Sequence, residues 1–146
     1  MEKVNDMSEN YIIQENTLNF EDYCSLRESV EWLNFDEEQM KRGLANSLLT
    51  ISVTEAGKTV GMGRLIGDGG MYYSIVDVVV RPEYQGKGIG SRILDLILEH
   101  VSRQTPQGGR SSVQLKFVAS VQTATCIFTA ASLLDQLCRV ATTIAR

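Results

Sequence analysis

The sequence predicts a mixed α/β fold of the α+β type, in which a mostly antiparallel sheet is flanked by helices. Short apolar or alternating segments recur along the first 120 residues, with turn residues between them. The segments at 71–81 and 113–117 are separated by one long helical pattern, so their strands should be parallel. The earlier strands follow one another through short turns and should be antiparallel.

The first half of the chain predicts one strand, two helices and a hairpin. Residues 11–15 form the strand. Asn19 and Asp36 are the expected N-caps of the two helices, because short polar side chains accept hydrogen bonds from the first helical N–H groups. Segments 49–54 and 59–66 are separated by a tight four-residue turn, and this arrangement predicts an antiparallel hairpin.

The second half predicts two further strands around one helix. The strand at 71–81 ends in the continuous apolar run 78–80, which is typical of a strand buried on both faces. Residues 113–117 alternate and form the fifth strand. The helix between these strands runs to about Ser102 and has an apolar stripe, formed by Ile89, Ile93, Leu96, Ile97 and Val101.

Composition limits the classes of function. The 146 residues and 43% hydrophobic content fit a single domain over 1–146 with a real core. A formal charge of −4 argues against a general nucleic-acid binder, which needs an excess of cations. Three widely spaced cysteines and one histidine predict no disulfide framework and no metal site. The N-terminus is polar and acidic and no apolar run approaches membrane-spanning length, so we expect a cytoplasmic protein without a membrane partner.

A glycine-rich loop lies between the end of the strand at 71–81 and the following helix. Helix N-termini present unpaired N–H groups and the positive end of the macrodipole, and glycines let an anion approach this backbone closely. The spacing is neither that of a Walker A loop nor that of a Rossmann loop, which needs a glycine where Ser91 stands. A phosphate cradle is therefore predicted, with a plain helix-capping turn as the alternative. The loop residues are Gln85, Gly86, Lys87, Gly88, Ile89 and Gly90.

The stretch VVVRPEYQGKGIGSRIL resembles motif A of the GNAT superfamily of N-acetyltransferases, and the element order over 11–119 resembles that family's fold. The resemblance implies acetyl-CoA as the cosubstrate. It implies that the backbone of Val78, Val79 and Val80 binds the pantetheine arm. It also implies that the pyrophosphate is held by Gln85, Gly86, Lys87, Gly88, Ile89, Gly90 and Ser91.

The implied reaction moves the acetyl group to a primary amine of a small molecule or peptide by direct attack. A bulge or splay in the strand at 71–81 would free a backbone N–H group to stabilise the oxyanion. A degenerate acyl-CoA-binding module that retains the loop but has little or no turnover is the alternative.

Asp77 is the candidate catalytic residue. The attacking amine must be neutral, and because a free alkylamine has a pKa of about 10, a carboxylate or a water chain should accept its proton. A carboxylate within an apolar strand is costly to bury unless it is paired or hydrated, which indicates a cleft. The alternative is that Asp77 faces solvent or caps a bulge.

The resemblance places the acceptor site around 28–42 and 67–73. Arg64 is a candidate for binding a carboxylate or phosphate of the acceptor, and an exposed strand position explains it equally well. Four aromatic residues are candidates for lining this site, with plain core positions as the alternative: Trp32, Phe35, Tyr72 and Tyr73.

The resemblance ends at about Ser120. The family continues with a helix whose Tyr protonates the CoA thiolate and with two final strands after a Gly-Phe turn, whereas Tyr84 and Gly109 are the last Tyr and Gly here. Residues 120–146 show helical spacing, so we expect a helical tail, missing C-terminal strands and an uncovered edge at 113–119. Such an edge favours a homodimer, strand exchange or poor solubility. An altered reading frame after about Ser120 would account for the abrupt change.

Overall fold

A computed structural model describes residues 10–104 with their side chains, and the backbone of residues 114–117 and 126–129. These residues form one sheet in the order β1-β2-β3-β4-β5-β6, in which neighbouring strands are antiparallel except for the parallel pair β4 and β5. The predicted mixed and mostly antiparallel sheet with flanking helices is confirmed. The elements are β1 Tyr11–Glu15, α1 Phe20–Ser29, α2 Glu37–Ala45, β2 Leu49–Glu55, β3 Lys58–Gly67, β4 Tyr72–Val80, α3 Ile89–Gln104, β5 Gln114–Phe117 and β6 Cys126–Thr129.

Both predicted helix caps are confirmed. The Asn19 side chain accepts a hydrogen bond from Asp22 N–H at 2.8 Å, and the Asp36 side chain accepts one from Gln39 N–H at 3.1 Å. Each bond satisfies a donor that has no partner within the helix. Helix α1 ends at Ser29, and Glu31 then adopts a φ of 61°, which is incompatible with continuing the helix.

The hairpin of β2 and β3 has the predicted turn. Its two central residues, Ala56 and Gly57, have φ values of 48° and 78°. Two-residue hairpin turns of this kind require left-handed backbone at both central positions, because that twist matches the twist of the strands. Glycine at the second position removes the steric cost there.

The helices cover the two faces of the sheet unequally. Helix α3 packs on one face, where its apolar stripe meets a large core from β2, β3 and β4. The glycines of β3 allow this close approach, since a Cβ atom at Gly63 would lie 2.5 Å from Ile93 Cγ2. Helices α1 and α2 cover the opposite face with a smaller cluster, formed by Tyr23, Leu26, Met40, Met62 and Val79. No helix in the part of the chain that the structure describes is long and apolar enough to cross a bilayer.

The expected helical tail is wrong at residues 126–129. These residues form β6, which pairs antiparallel with β5 through registers such as Lys116↔Ile127. Isoleucine, phenylalanine and threonine favour strands, and pairing with β5 overrides the helical spacing of Ile127. The expected uncovered edge is therefore also wrong at 114–117, and with it the reason for a homodimer there. The remaining tail predictions fall outside the residues described.

Candidate active site

A cleft of about 170 Å³ opens where β4 ends and α3 begins. It brings together every residue that the sequence predicted for cosubstrate binding except Lys87. The side chains that sequence reasoning missed come from the α1–α2 connection, from the loop and from α3. The lining consists of Val30, Trp32, Val78, Val79, Val80, Tyr84, Gln85, Gly86, Gly88, Ile89, Gly90, Ser91 and Leu94.

The glycine loop presents backbone donors to this cleft. Gly86 and Gly88 have φ values of 76° and 82°, which other residues adopt only at a cost. The bond from Arg92 N–H to the Gly88 carbonyl, at 3.0 Å, begins the helical ladder, so the three preceding N–H groups lie ahead of it. The first turn of α3, all of it within the described residues, carries no acidic side chain. The donors and the helix dipole therefore suit an anion such as a pyrophosphate.

The Tyr84 ring lies close to two lysine side chains beside the glycine loop. The Nζ atoms of Lys87 and Lys58 lie 5.1 Å and 5.8 Å from the centroid of its ring, within the range of cation–π attraction. A hydrogen bond to the Glu55 carboxylate is the main cause that raises the pKa of the Tyr84 hydroxyl. This phenol therefore stays protonated at neutral pH. Through its contact with the Tyr84 ring, Lys87 lies close to the cleft, although it does not line it.

Strand β4 contains a bulge. The pairs Met62↔Val79 and Arg64↔Val76 enclose a single residue on β3 but two residues, Asp77 and Val78, on β4. Asp77 has a φ of 51°, in the left-handed region. A bulge is thus present in this strand, and it includes Val78, the first of the three valines that line the cleft.

The bulge also decides which way Asp77 faces. Tyr73 and Ile75 belong to the core under α3, so strict alternation would place Asp77 in that apolar layer. The extra residue instead turns Asp77 toward α1, and Val78 and Val80 pack against the core under α3. Burial of an unpaired carboxylate is avoided in this way.

The Asp77 carboxylate is fully engaged. Its Oδ1 accepts from Arg27 Nη1 at 2.9 Å, and its Oδ2 accepts from Arg64 Nη1 at 2.8 Å and from the Tyr23 hydroxyl at 2.7 Å. Only 14% of the Asp77 side chain is exposed, and it does not line the cleft. A base at this position would give up these ion pairs on taking a proton. The geometry therefore favours the alternative in which Asp77 caps a bulge.

Arg64 does not occupy the exposed strand position considered from the sequence. It is buried, and besides Asp77 it donates to Ser47 Oγ at 3.0 Å and to the Gly43 carbonyl at 3.1 Å. These bonds engage its guanidinium inside the protein, so it is poorly placed to bind an acceptor. Among the candidate aromatic residues, Trp32 lines the cleft, whereas Tyr73 belongs to the core.

Comparison with known proteins assigns the fold to a family. The model of the Acetyltransferase (GNAT) family matches residues 10–126, which continues beyond Ser120. The chain belongs to this family. A structure described as a probable acetyltransferase from methicillin-resistant Staphylococcus aureus is similar, with a TM-score of 0.68 and 26% identity over 89% of this chain and 87% of that one.

Two further proteins are similar to this chain. The uncharacterized N-acetyltransferase ycf52 of Pyropia yezoensis is 28% identical over 95 residues, which cover 62% of this chain and 55% of that protein. The chain spans about half the length of the curated relatives it matches. An aminoglycoside 6′-N-acetyltransferase complexed with coenzyme A shares the fold, with a TM-score of 0.57 and 17% identity over 73% of this chain and 60% of that one. Family membership supports acyl transfer in general.

Proposed function

We propose that this protein transfers the acetyl group of acetyl-CoA to a primary amine of a small molecule or peptide. The observation that carries the proposal is the cleft that joins the glycine loop to the bulged strand β4. The start of α3 suits the pyrophosphate, and Lys87 supplies a nearby positive charge. Val78, Val79 and Val80 line the same cleft, and in this proposal their backbone groups bind an extended pantetheine arm.

The bulge gives the strand a second role in the proposed reaction. Acetyl-CoA supplies a thioester carbonyl that the amine attacks, so that the N–C bond forms, the C–S bond breaks and the amine proton passes to water. A backbone N–H group released from the ladder at Asp77 and Val78 would donate to the carbonyl oxygen as it gains negative charge.

Proton transfer in this proposal needs neither Asp77 nor a tyrosine beyond Tyr84. Water is the expected proton acceptor, because both Asp77 oxygens already accept from protein donors. A thiol has a pKa of about 8.5, so its thiolate is a tolerable leaving group that water can protonate. Tyr84 is not required as the acid in this proposal.

The α1–α2 connection is the proposed acceptor side. Val30 and Trp32 of this connection line the same cleft as the glycine loop, so an amine that approaches along the connection reaches the same cavity. The acceptor is a small molecule or peptide in this proposal, and no polymer partner is required.

Release of free thiol from acetyl-CoA tests the proposal. The purified protein would be incubated with acetyl-CoA and, in turn, kanamycin, glucosamine 6-phosphate and a peptide with a free N-terminal amine. We expect thiol release above the amine-free control with at least one probe, and the acetylated amine in the mass spectrum. Calorimetric titration with CoA supplies the second measurement. CoA binding without amine-dependent release would favour the degenerate binding module, and absence of binding would contradict both functions.

A further inference from the structure

A buried ion-pair network surrounds the bulge of β4. It consists of Tyr23 and Arg27 on α1, Arg64 on β3 and Asp77 on β4, and we call it the Asp77 network. The side chains of Arg27, Arg64 and Asp77 are 7%, 10% and 14% exposed. Three elements that are distant in sequence therefore meet at one carboxylate, directly before the valines that line the cleft.

Arg27 extends the network to the acceptor side of the cleft. Its Nη2 donates to the Leu33 carbonyl at 2.8 Å, and its Nε donates to Asn34 Oδ1 at 3.2 Å. Its guanidinium also lies 5.4 Å from the centroid of the Trp32 ring. The same side chain thus contacts the bulge, through Asp77, and the connection that carries Trp32 into the cleft.

Arg64 extends the network to α2. Its bonds to the Gly43 carbonyl and to Ser47 Oγ hold the end of α2 and the residues before β2. The Tyr23 hydroxyl donates to Asp77 and accepts from Arg64 Nη1 at 2.9 Å, which closes a ring of hydrogen bonds around the carboxylate. Every member is partnered, so the arrangement has little freedom to shift.

Stability alone does not explain these residues. Well-packed apolar side chains commonly replace buried ion pairs without loss of stability, because removing charges from water is costly. The left-handed backbone at Asp77, a residue other than glycine, adds a further cost. Both costs are concentrated at the bulge beside the cleft, where strain is commonly tied to function.

We propose that Arg27, Arg64 and Asp77 are positioning residues, which hold the β4 bulge and the Trp32 side of the cleft in the geometry of acyl transfer and take no proton. The proposal rests on the proposed function, because it names how the same site is kept in place. It differs from a catalytic role for Asp77 in its pH dependence. Loss of a base removes one limb of the pH–rate profile, whereas loss of positioning lowers the rate and leaves the limbs unchanged.

Asp77→Asn is the first test variant, because asparagine tolerates the left-handed backbone while removing the charge. With the amine probe that wild type acetylates fastest, we expect kcat to fall about tenfold to a hundredfold. The pH limbs of kcat/KM should match those of wild type, and the Kd for CoA should stay within about twofold, a change worth under about 0.5 kcal/mol.

Arg64→Lys is the second variant, since it retains the charge but loses the planar fork that reaches Asp77, Tyr23 and Gly43. It should lower kcat in the same way, and it carries the test if Asp77→Asn does not fold. Asp22→Asn is the matched control. Asp22 also ties α1 to β3, through a 2.6 Å bond from Thr59 Oγ1, but it does so outside the network and should leave kcat near the wild-type value.

Two results would overturn the positioning role while leaving the proposed function intact. One is loss of a pH limb in Asp77→Asn, which would make Asp77 the base. The other is an equal fall in kcat for Asp22→Asn, which would make the effect one of general stability. A wild type that binds no CoA contradicts the proposed function instead, before any variant is compared.

Discussion

The two faces of the central sheet are built from different kinds of contact. Under α3 the contact is apolar and close, with Ile89, Ile93 and Ile97 fully buried against strands whose glycines make room for them. Under α1 and α2 a smaller apolar cluster is combined with a hydrogen-bonded polar network that contains the buried Arg27 and Arg64. The cleft lies where these two kinds of packing meet, at the end of β4.

The two kinds of packing hold different parts of the cleft in place. The α3 face fixes the start of that helix, and hence the glycine loop, through shape alone. The opposite face fixes the bulge and the α1–α2 connection through directional hydrogen bonds, whose geometry is less tolerant than apolar packing. Substitutions on the two faces should therefore lower the stability for different reasons, by loss of hydrogen-bonded ion pairs on one face and by steric overlap on the other.

Asp77→Ala should give the largest loss of stability. It leaves two buried guanidinium groups without their carboxylate and places alanine in a left-handed conformation. Breaking a buried pair in this way costs about 3–5 kcal/mol in the free energy of unfolding. Urea denaturation of the variant and of wild type measures the difference. A fall of less than about 1 kcal/mol in the free energy of unfolding would show that the packing of α1 and α2 on the sheet does not depend on this carboxylate.

Gly63→Ala probes the apolar face. The added Cβ atom would lie 2.5 Å from Ile93 Cγ2 and 3.1 Å from Ile97 Cδ1, so these side chains or α3 must shift. We expect a loss of about 1–3 kcal/mol by thermal or urea unfolding. Gly43→Ala in α2 is the control, because a Cβ atom there meets no atom within 4 Å. This substitution should raise the free energy of unfolding by about 0.5–1 kcal/mol, since alanine is the better helix former. Equal effects at the two positions would contradict the close packing of α3.

Tyr23→Phe tests the hydroxyl within the Asp77 network and should have a smaller effect. Removing one hydrogen-bonded hydroxyl costs about 1 kcal/mol at neutral pH. Burial, followed by the charge of Asp77, raises the pKa of Tyr23 above its usual 10.0. The folded state therefore holds this proton more tightly, so the contribution is complete below about pH 10 and is lost as pH rises through the raised pKa.

The stability difference between wild type and Tyr23→Phe should accordingly narrow between neutral pH and about pH 11. Urea unfolding at both pH values measures it. A difference that stays constant across this range would mean that the hydroxyl does not keep its proton for the reason given.

Local structure could be predicted from the sequence. The caps Asn19 and Asp36 and the β2–β3 turn were predicted because each depends on residues within a few positions of one another. The glycine loop and α3 were predicted for the same reason. The predicted cosubstrate residues other than Lys87 line the cleft, whereas its remaining lining residues Val30, Tyr84 and Leu94 were not predicted for it.

Contacts between residues distant in sequence could not be predicted in the same way. The partners of Asp77 lie 50 and 13 residues away, at Arg27 and Arg64, and a bulge leaves no mark in the alternation of a strand that is apolar on both faces. One signal was present. Arg27 stands in the apolar stripe of α1 and Asp77 in an apolar strand, and two opposite charges at buried positions are expected to pair. At β6, pairing with β5 overrode local helical spacing.

The claim that the glycine loop cradles the phosphates of an acyl-CoA is tested most directly by CoA affinity in two matched variants. Gly86 and Gly57 have φ values of 76° and 78°, and a Cβ atom at either position meets no atom within 4 Å. Alanine therefore adds the same backbone strain at both, but only Gly86 lines the cleft.

Calorimetric titration with CoA should show Gly86→Ala binding about tenfold more weakly than wild type, a change of about 1.4 kcal/mol, and Gly57→Ala binding within about twofold of it. Equal affinities for the two variants would contradict a phosphate cradle at residues 85–91.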